Sequence, residues 1–372
     1  MKWLLPVLLG LLLAAPSMGD DIETIRKVSA GSEGAAEARE ARNSLVAGGA
    51  KNLIPILKGF KGSSVLASNW LRSAFEAIAD AEIKAGRFLP KQLLLDFVAD
   101  TSESPTARRL AYEWLLKRRP ELEDELIPNM LTDPSPAFRR DAVARLLQQA
   151  ENAGGDDATV IYRQALQGAV HEDQVKKIAK ALRDAGQEVD LPKHFGFLTE
   201  WQIIGPFDNK EEKGYAIAYP PEEELDLEAE YIGVLGKLVW QPIATDDDFG
   251  VVNIAEQLDN YKGSLMYATT TWNSPKAQEV EIRLGTPNAW KLWVNDRLVF
   301  EREEYHRSTK MDQYRVPVEL RAGKNRILLK VCQNEQEQPW AQRYQYQLRI
   351  SDSTGAGLLP ADSSSDQNAG AN

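Results

Sequence analysis

Cysteine occurs once in these 372 residues, at Cys332. That excludes an intramolecular disulfide framework and a multi-cysteine zinc site. Histidine is nearly as scarce, at His171, His194 and His306, so metal and imidazole-base chemistry have few players. Positive charge is short: 44 Lys and Arg face 55 Asp and Glu, a formal net charge of -11. Broad electrostatic binding of nucleic acid is therefore not expected. No Gly-x-Ser-x-Gly elbow, Walker loop or His-Glu-x-x-His motif occurs. What is present is ordinary globular composition, 43% hydrophobic and 27% charged, in a chain long enough for two domains.

Residues 1–19 read as a signal peptide. Lys2 supplies a positive start, Leu4 to Ala15 an apolar stretch, and Ser17 and Gly19 the small residues before a cleavage expected ahead of Asp20. The stretch is shorter than the ~20 residues that span a bilayer. No Cys follows it, so a lipid anchor has no attachment point, and no other segment is apolar enough to cross a membrane. The expectation is an exported protein, periplasmic or extracellular, without a membrane span after cleavage.

From 20 to 190 the chain is dense in Ala, Leu, Arg and Glu and lacks strand alternation. Ser104-Pro105-Thr106-Ala107-Arg108-Arg109-Leu110-Ala111 aligns with Ser135-Pro136-Ala137-Phe138-Arg139-Arg140-Asp141-Ala142. In each, Ser caps a helix and Pro takes its first turn. Ala74, Ala111, Ala142 and Ala179 mark four copies spaced 37, 31 and 37 residues apart, the periodicity of stacked helical hairpins. Arg108, Arg109, Arg139 and Arg140 are read as a solvated outer face. The run from Met130 to Val143, with its Asp133-Pro134 turn and the Arg residues that follow, resembles the HEAT repeat. That resemblance implies a HEAT/armadillo-like α-helical solenoid that binds a protein partner.

After a linker at Leu191–His194 the period changes to two. Glu279–Leu284 and Tyr344–Ile350 alternate strictly, and Trp290–Val294, Asn295-Asp296 and Leu298–Phe300 read as a hairpin. About ten short strands over 197–351 predict an antiparallel β-sandwich. Trp293-Val294-Asn295-Asp296 and the later Leu320-Arg321-Ala322-Gly323-Lys324-Asn325 turn resemble the galactose-binding-like jelly roll, a module that accompanies bacterial glycoside hydrolases and other exported proteins. Asp296 stands where that family usually has Gly, and Asp still suits a tight hairpin. The fold expected for the whole chain is thus multidomain, α then β.

Six of nine Trp lie in the β half, together with 28 acidic and 18 basic residues from 195 onward. Aromatic faces stack on the apolar C–H faces of sugar rings, and this charge balance favours a neutral glycan over an anion. Trp272 and Trp340, beside Pro275 and Pro339, are the expected stacking residues, with Arg307 and Asp312 as hydrogen-bonding partners. Trp290 and Trp293 lie on opposite sides of one strand, so at most one is expected in the core. Asp246-Asp247-Asp248 has oxygens for Ca²⁺ but not the regular Asp-x-Asp loop, and a solvated loop is the expectation. Cys332 reads as a buried structural thiol. Residues 352–372, rich in Ser, Asp, Gly and Asn, are expected to be a disordered tail. No metal or cofactor is expected. The combined reading is a non-catalytic exported scaffold binding glycan and protein. The alternative is an accessory module or subunit of a polysaccharide-degrading enzyme.

Overall fold

Pro, Ser and Asp punctuate the first half where the helices begin. The computed structural model describes residues 17–29 and 33–361; all but the end of the expected signal segment lies outside them. The helices are α1 (Met18–Arg26), α2 (Ala35–Ala47), α3 (Leu53–Lys58), α4 (Val65–Lys84), α5 (Lys91–Ala99), α6 (Pro105–Leu116), α7 (Leu122–Leu126), α8 (Pro136–Ala153), α9 (Gly155–Gly168), α10 (Glu172–Asp184) and α11 (Leu191–Phe195). Ser64 and Asp190 cap α4 and α11 through their side chains, and Pro105 and Pro136 open α6 and α8. The chain divides into two compact units between Ala142 and Val143.

In the first unit, Leu53, Leu71, Phe75, Leu110 and Phe138 share one apolar cluster with small residues such as Ala67 and Ala107. The marker residues Ala74, Ala111 and Ala142 are buried there. Arg108 departs from the expected outer face. It is 1% exposed, donates to the Val98 carbonyl at 2.8 Å and grips Asp133 bidentately at 2.9 and 2.7 Å. Asp133 also accepts from the Ser135 amide, and its carbonyl accepts from Arg139. A buried guanidinium needs such full pairing, and the Asp133-Pro134-Ser135 turn provides it.

The second unit begins within α8 and takes in α9 to α11 as well as the sheets, so it starts well before the expected linker. The linker itself is helix α11, ended by Gly196 at φ +73°, where an added Cβ would lie 2.5 Å from the Ile350 carbonyl. Arg183 on α10 holds Asp248 bidentately at 2.6 and 2.7 Å, and Lys176 sits 4.6 Å over the Phe249 ring.

Strands follow as β1 (Glu200–Asp208), β2 (Tyr231–Gly233), β3 (Gly236–Leu238), β4 (Gln241–Ala244), β5 (Val252–Asn253), β6 (Ser264–Ser274), β7 (Gln278–Gly285), β8 (Ala289–Val294), β9 (Arg297–Arg302), β10 (Tyr314–Leu320), β11 (Gly323–Gln333) and β12 (Gln345–Ser351). Two short helices interrupt them, α12 (Pro220–Glu223) and α13 (Ile254–Gln257). All pairings are antiparallel: a six-stranded sheet in the order β4-β1-β6-β11-β8-β9, a four-stranded sheet β10-β7-β12-β5, and the hairpin β2-β3. One cluster draws on both larger sheets, with Trp201, Trp272, Trp290 and Leu329 from the first and Ile282, Val318 and Leu348 from the second. Asn295 and Asp296 turn β8 into β9 at φ +50° and +68°, the left-handed geometry a two-residue hairpin demands.

The six-stranded sheet has a second apolar face. Ile204, Phe207, Tyr267, Trp293 and Leu328 meet Tyr215, Leu238 and Trp240 from the segment 209–240. Trp290 and Trp293 are therefore both buried, one on each side, because this segment covers the face that alternation alone would assign to water. Lys330 pins the cover: its wholly buried ammonium donates to the Tyr215 and Ile217 carbonyls and pairs with Glu222 at 2.7 Å. Burial lowers its pKa, and Glu222 opposes that shift. Cys332 lies beneath, its thiol pushed up to about 12 by burial.

The expected tail is packed as far as Ala361; residues 362–372 lie outside the described residues. The Leu358 amide donates to the Ile350 carbonyl, and the Ala361 amide to Asn273. Asp352 gathers the Thr354 and Ala356 amides into a loop whose Gly355 carbonyl accepts from Arg349. Local side-chain bonding organises this stretch despite its polar composition.

Candidate functional site

Three segments of the second unit converge: 209–215, 303–310 and 334–342. Asn209 anchors the first, donating to the Gln333 carbonyl at 3.1 Å and to the Tyr305 hydroxyl at 3.2 Å. Glu211, Glu212 and His306 take φ of +55°, +62° and +56°. Left-handed backbone at non-glycine residues is costly and gathers where a particular geometry is held. His306 Nε2 lies 2.6 Å from Asn334 Oδ1, and Asn334 Nδ2 donates to Glu212 at 3.0 Å. The Glu211 amide donates to Glu335 at 2.9 Å.

Trp340 stands at this junction, 61% exposed on the single turn Pro339–Ala341. Its ring meets the His306 ring edge to face, with centroids 5.2 Å apart. The turn is fixed from below, since Lys262 donates to the Ala341 carbonyl at 2.7 Å and the buried Gln333 amide at 3.3 Å. Beside it runs an open groove of about 460 Å³ lined by Glu212, Asn334, Glu335, Gln336, Glu337 and Gln338. The lining offers only carboxylates and amides, which accept from and donate to hydroxyls.

Of the two tryptophans expected at a ligand site, Trp340 alone has an exposed ring; it follows the lining residue Gln338 by two positions and does not itself line the groove. Trp272 is corrected: it is 1% exposed inside the shared core. Its position on β6 points it inward, and the nearby Ser274-Pro275 turn does not alter that alternation. Asp312 is corrected too. Its carboxylate is held by Arg349 at 2.7 Å through both oxygens and by Arg283 at 2.6 Å. Burial works against the charge, yet the two guanidinium groups keep its pKa below the usual carboxylate value. Arg307 is exposed next to His306 but pairs with Glu304 at 3.4 Å and does not line the groove. Asp247 accepts the Phe249 and Val251 amides, and Asp248 is held by Arg183; among the described residues no group of His, Cys, Asp and Glu is placed to hold a metal ion.

The groove residues were missed in sequence. The signal was the run Asn334-Glu335-Gln336-Glu337-Gln338-Pro339-Trp340, amides and carboxylates delivered to an aromatic between two strands. Glu212 and His306 had no comparable signal, because they reach the site from distant segments.

A second, larger groove of about 750 Å³ lies on the outer face of the six-stranded sheet. Gln202, Thr269, Thr271 and Arg326 line it, with Leu227 and Pro242. Leu225 and Leu227 of the 209–240 segment form part of its lining.

No family model and no curated protein matches the chain. Among solved structures, a family 35 carbohydrate-binding module from an environmental isolate shares 17% identity, covering 27% of this chain and 73% of that one at a TM-score of 0.20. A β-glucosidase from Kluyveromyces marxianus shares 9% over 46% of this chain, about a fifth of its own length, at 0.27. The Podospora anserina GH26-CBM35 β-(1,4)-mannanase shares 13% over 27% of this chain and 25% of its own, at 0.16. These are partial likenesses at low identity.

Proposed function

We propose that the chain is an exported, non-catalytic scaffold whose β unit, a jelly-roll-type sandwich, binds a neutral glycan at Trp340. The exposed Trp340 ring beside a groove of carboxylates and amides carries this reading. An aromatic face takes the apolar side of a pyranose, while Glu212, Asn334, Gln336 and Gln338 exchange hydrogen bonds with its hydroxyls. A groove lined with three Glu and no Lys or Arg disfavours an anionic sugar. Support for the sandwich comes from the cluster drawing on both sheets. The helical unit, read as a HEAT-like solenoid, docks a protein; the burial of its repeat-marking alanines supports that reading.

A glycan array with the full chain tests the first part. Wild type should retain neutral oligosaccharides at raised salt, because stacking is not screened as ion pairing is. Trp340→Ala should lose at least about tenfold in affinity with an unchanged melt, since its ring is exposed. Equal binding by Trp340→Ala, or no neutral glycan retained by wild type, would overturn the assignment.

A further inference from the structure

We infer that the helical unit docks an acidic peptide segment by one apolar anchor side chain, in a slot beside Phe88. This rests on the reading of that unit as a docking scaffold and is independent of the glycan site. The turn between α4 and α5 holds Phe88 at 77% exposure, beside a small apolar slot. Phe88 and Leu89 form one wall of the slot, and Trp114 and Leu115 from the last turn of α6 form its floor. At about 80 Å³ the slot has room for one aliphatic side chain and little more.

Its rim is basic. Lys91, Arg118 and Arg119 line the slot, and Lys117 sits 3.3 Å over the Trp114 ring. Glu121 approaches Arg119 only at 3.8 Å, and Lys91, Lys117 and Arg118 have no carboxylate partner among the described residues. Helix stability explains part of this: cations after α6 complement the carbonyl end of its dipole. It does not explain Lys91, which is the first residue of α5 and puts a positive charge at the helix end that disfavours one. Lys91 on the first turn of α5 and Arg118 in the turn after α6 thus bracket an apolar slot from two separate segments. A Leu-like anchor flanked by Asp and Glu matches that pattern, with Arg118 able to take a carboxylate through two nitrogens.

Titration calorimetry of the full chain against three synthetic hexapeptides tests it: one Leu amid Asp and Glu, the same with Ser for Leu, and one Leu amid Lys. The acidic Leu peptide should bind. It should weaken at least about tenfold on raising ionic strength from about 50 to about 500 mM. Phe88→Ala, and Lys91→Glu with Arg118→Glu, should each cost about tenfold or more; their melts should match wild type because all three side chains are exposed. Equal binding of the Ser peptide would reduce the contact to ion exchange and overturn the slot. Binding of the Lys peptide instead would overturn the acidic partner but leave the docking scaffold standing. No binding of any peptide would overturn the inference and count against the scaffold with it.

Discussion

At the scale of single residues, two tryptophans of similar sequence context have opposite fates. Trp272 fills the core between the sheets, whereas Trp340 stands in solvent. Trp272→Ala should cost about 3–5 kcal/mol in a denaturant melt, while Trp340→Ala should shift it by less than about 0.5 kcal/mol. Asp312 gives a pH test. Its folded pKa lies below the unfolded carboxylate value, so its pairing with Arg283 and Arg349 stabilises fully above that unfolded value, near pH 4. The contribution is then lost as pH falls through the folded value. Asp312→Asn should cost about 3–5 kcal/mol at neutral pH, and the gap from wild type should narrow as melts are taken below about pH 4. A constant gap would mean the carboxylate charge is not what holds the two arginines. Arg108 and Asp312 share a lesson: a sequence shows that a charge exists, but only the fold shows whether a partner 25 or 37 residues away is within reach.

At the scale of elements, the local signals were read well. Proline at the first turn of α6 and α8, the Asn295-Asp296 hairpin and the strictly alternating β7 and β12 follow from short-range sterics that a sequence carries openly, whereas the expected Ser104 cap makes no side-chain hydrogen bond at the start of α6. Ala142, 3% exposed on α8, should not accept a larger side chain: Ala142→Leu is expected to lower stability by about 1–3 kcal/mol through overpacking. What the sequence hid was the covered face of the six-stranded sheet. Alternation reports one apolar face and cannot say that a 32-residue excursion, 209–240, will return to bury the other. The same blindness concealed the groove, which brings Glu212 beside the distant run Asn334–Gln338. Edge strands show a protective device. Pro242 on β4 and Pro317 on β10 sit exposed at the margins of their sheets, where a missing N–H discourages pairing with another chain. Pro317→Thr should leave the melt within about 0.5 kcal/mol and raise association measured by light scattering.

For the whole molecule, the division between Ala142 and Val143 places three helices with the sheets, and the change of period near residue 191 marks the start of strands within a unit already under way. The burial of β11 has a temporal consequence. This strand is paired along both edges, by β6 and β8, and shielded on both faces from Ile327 to Gln333. Its amide protons have no local route to water, so they should leave only when the β unit opens as a whole. In deuterium exchange, Leu329 to Cys332 should be the last amides to exchange. Their rate should follow the stability of the unit, and Lys330→Met should speed them if detaching the 209–240 cover opens a faster path.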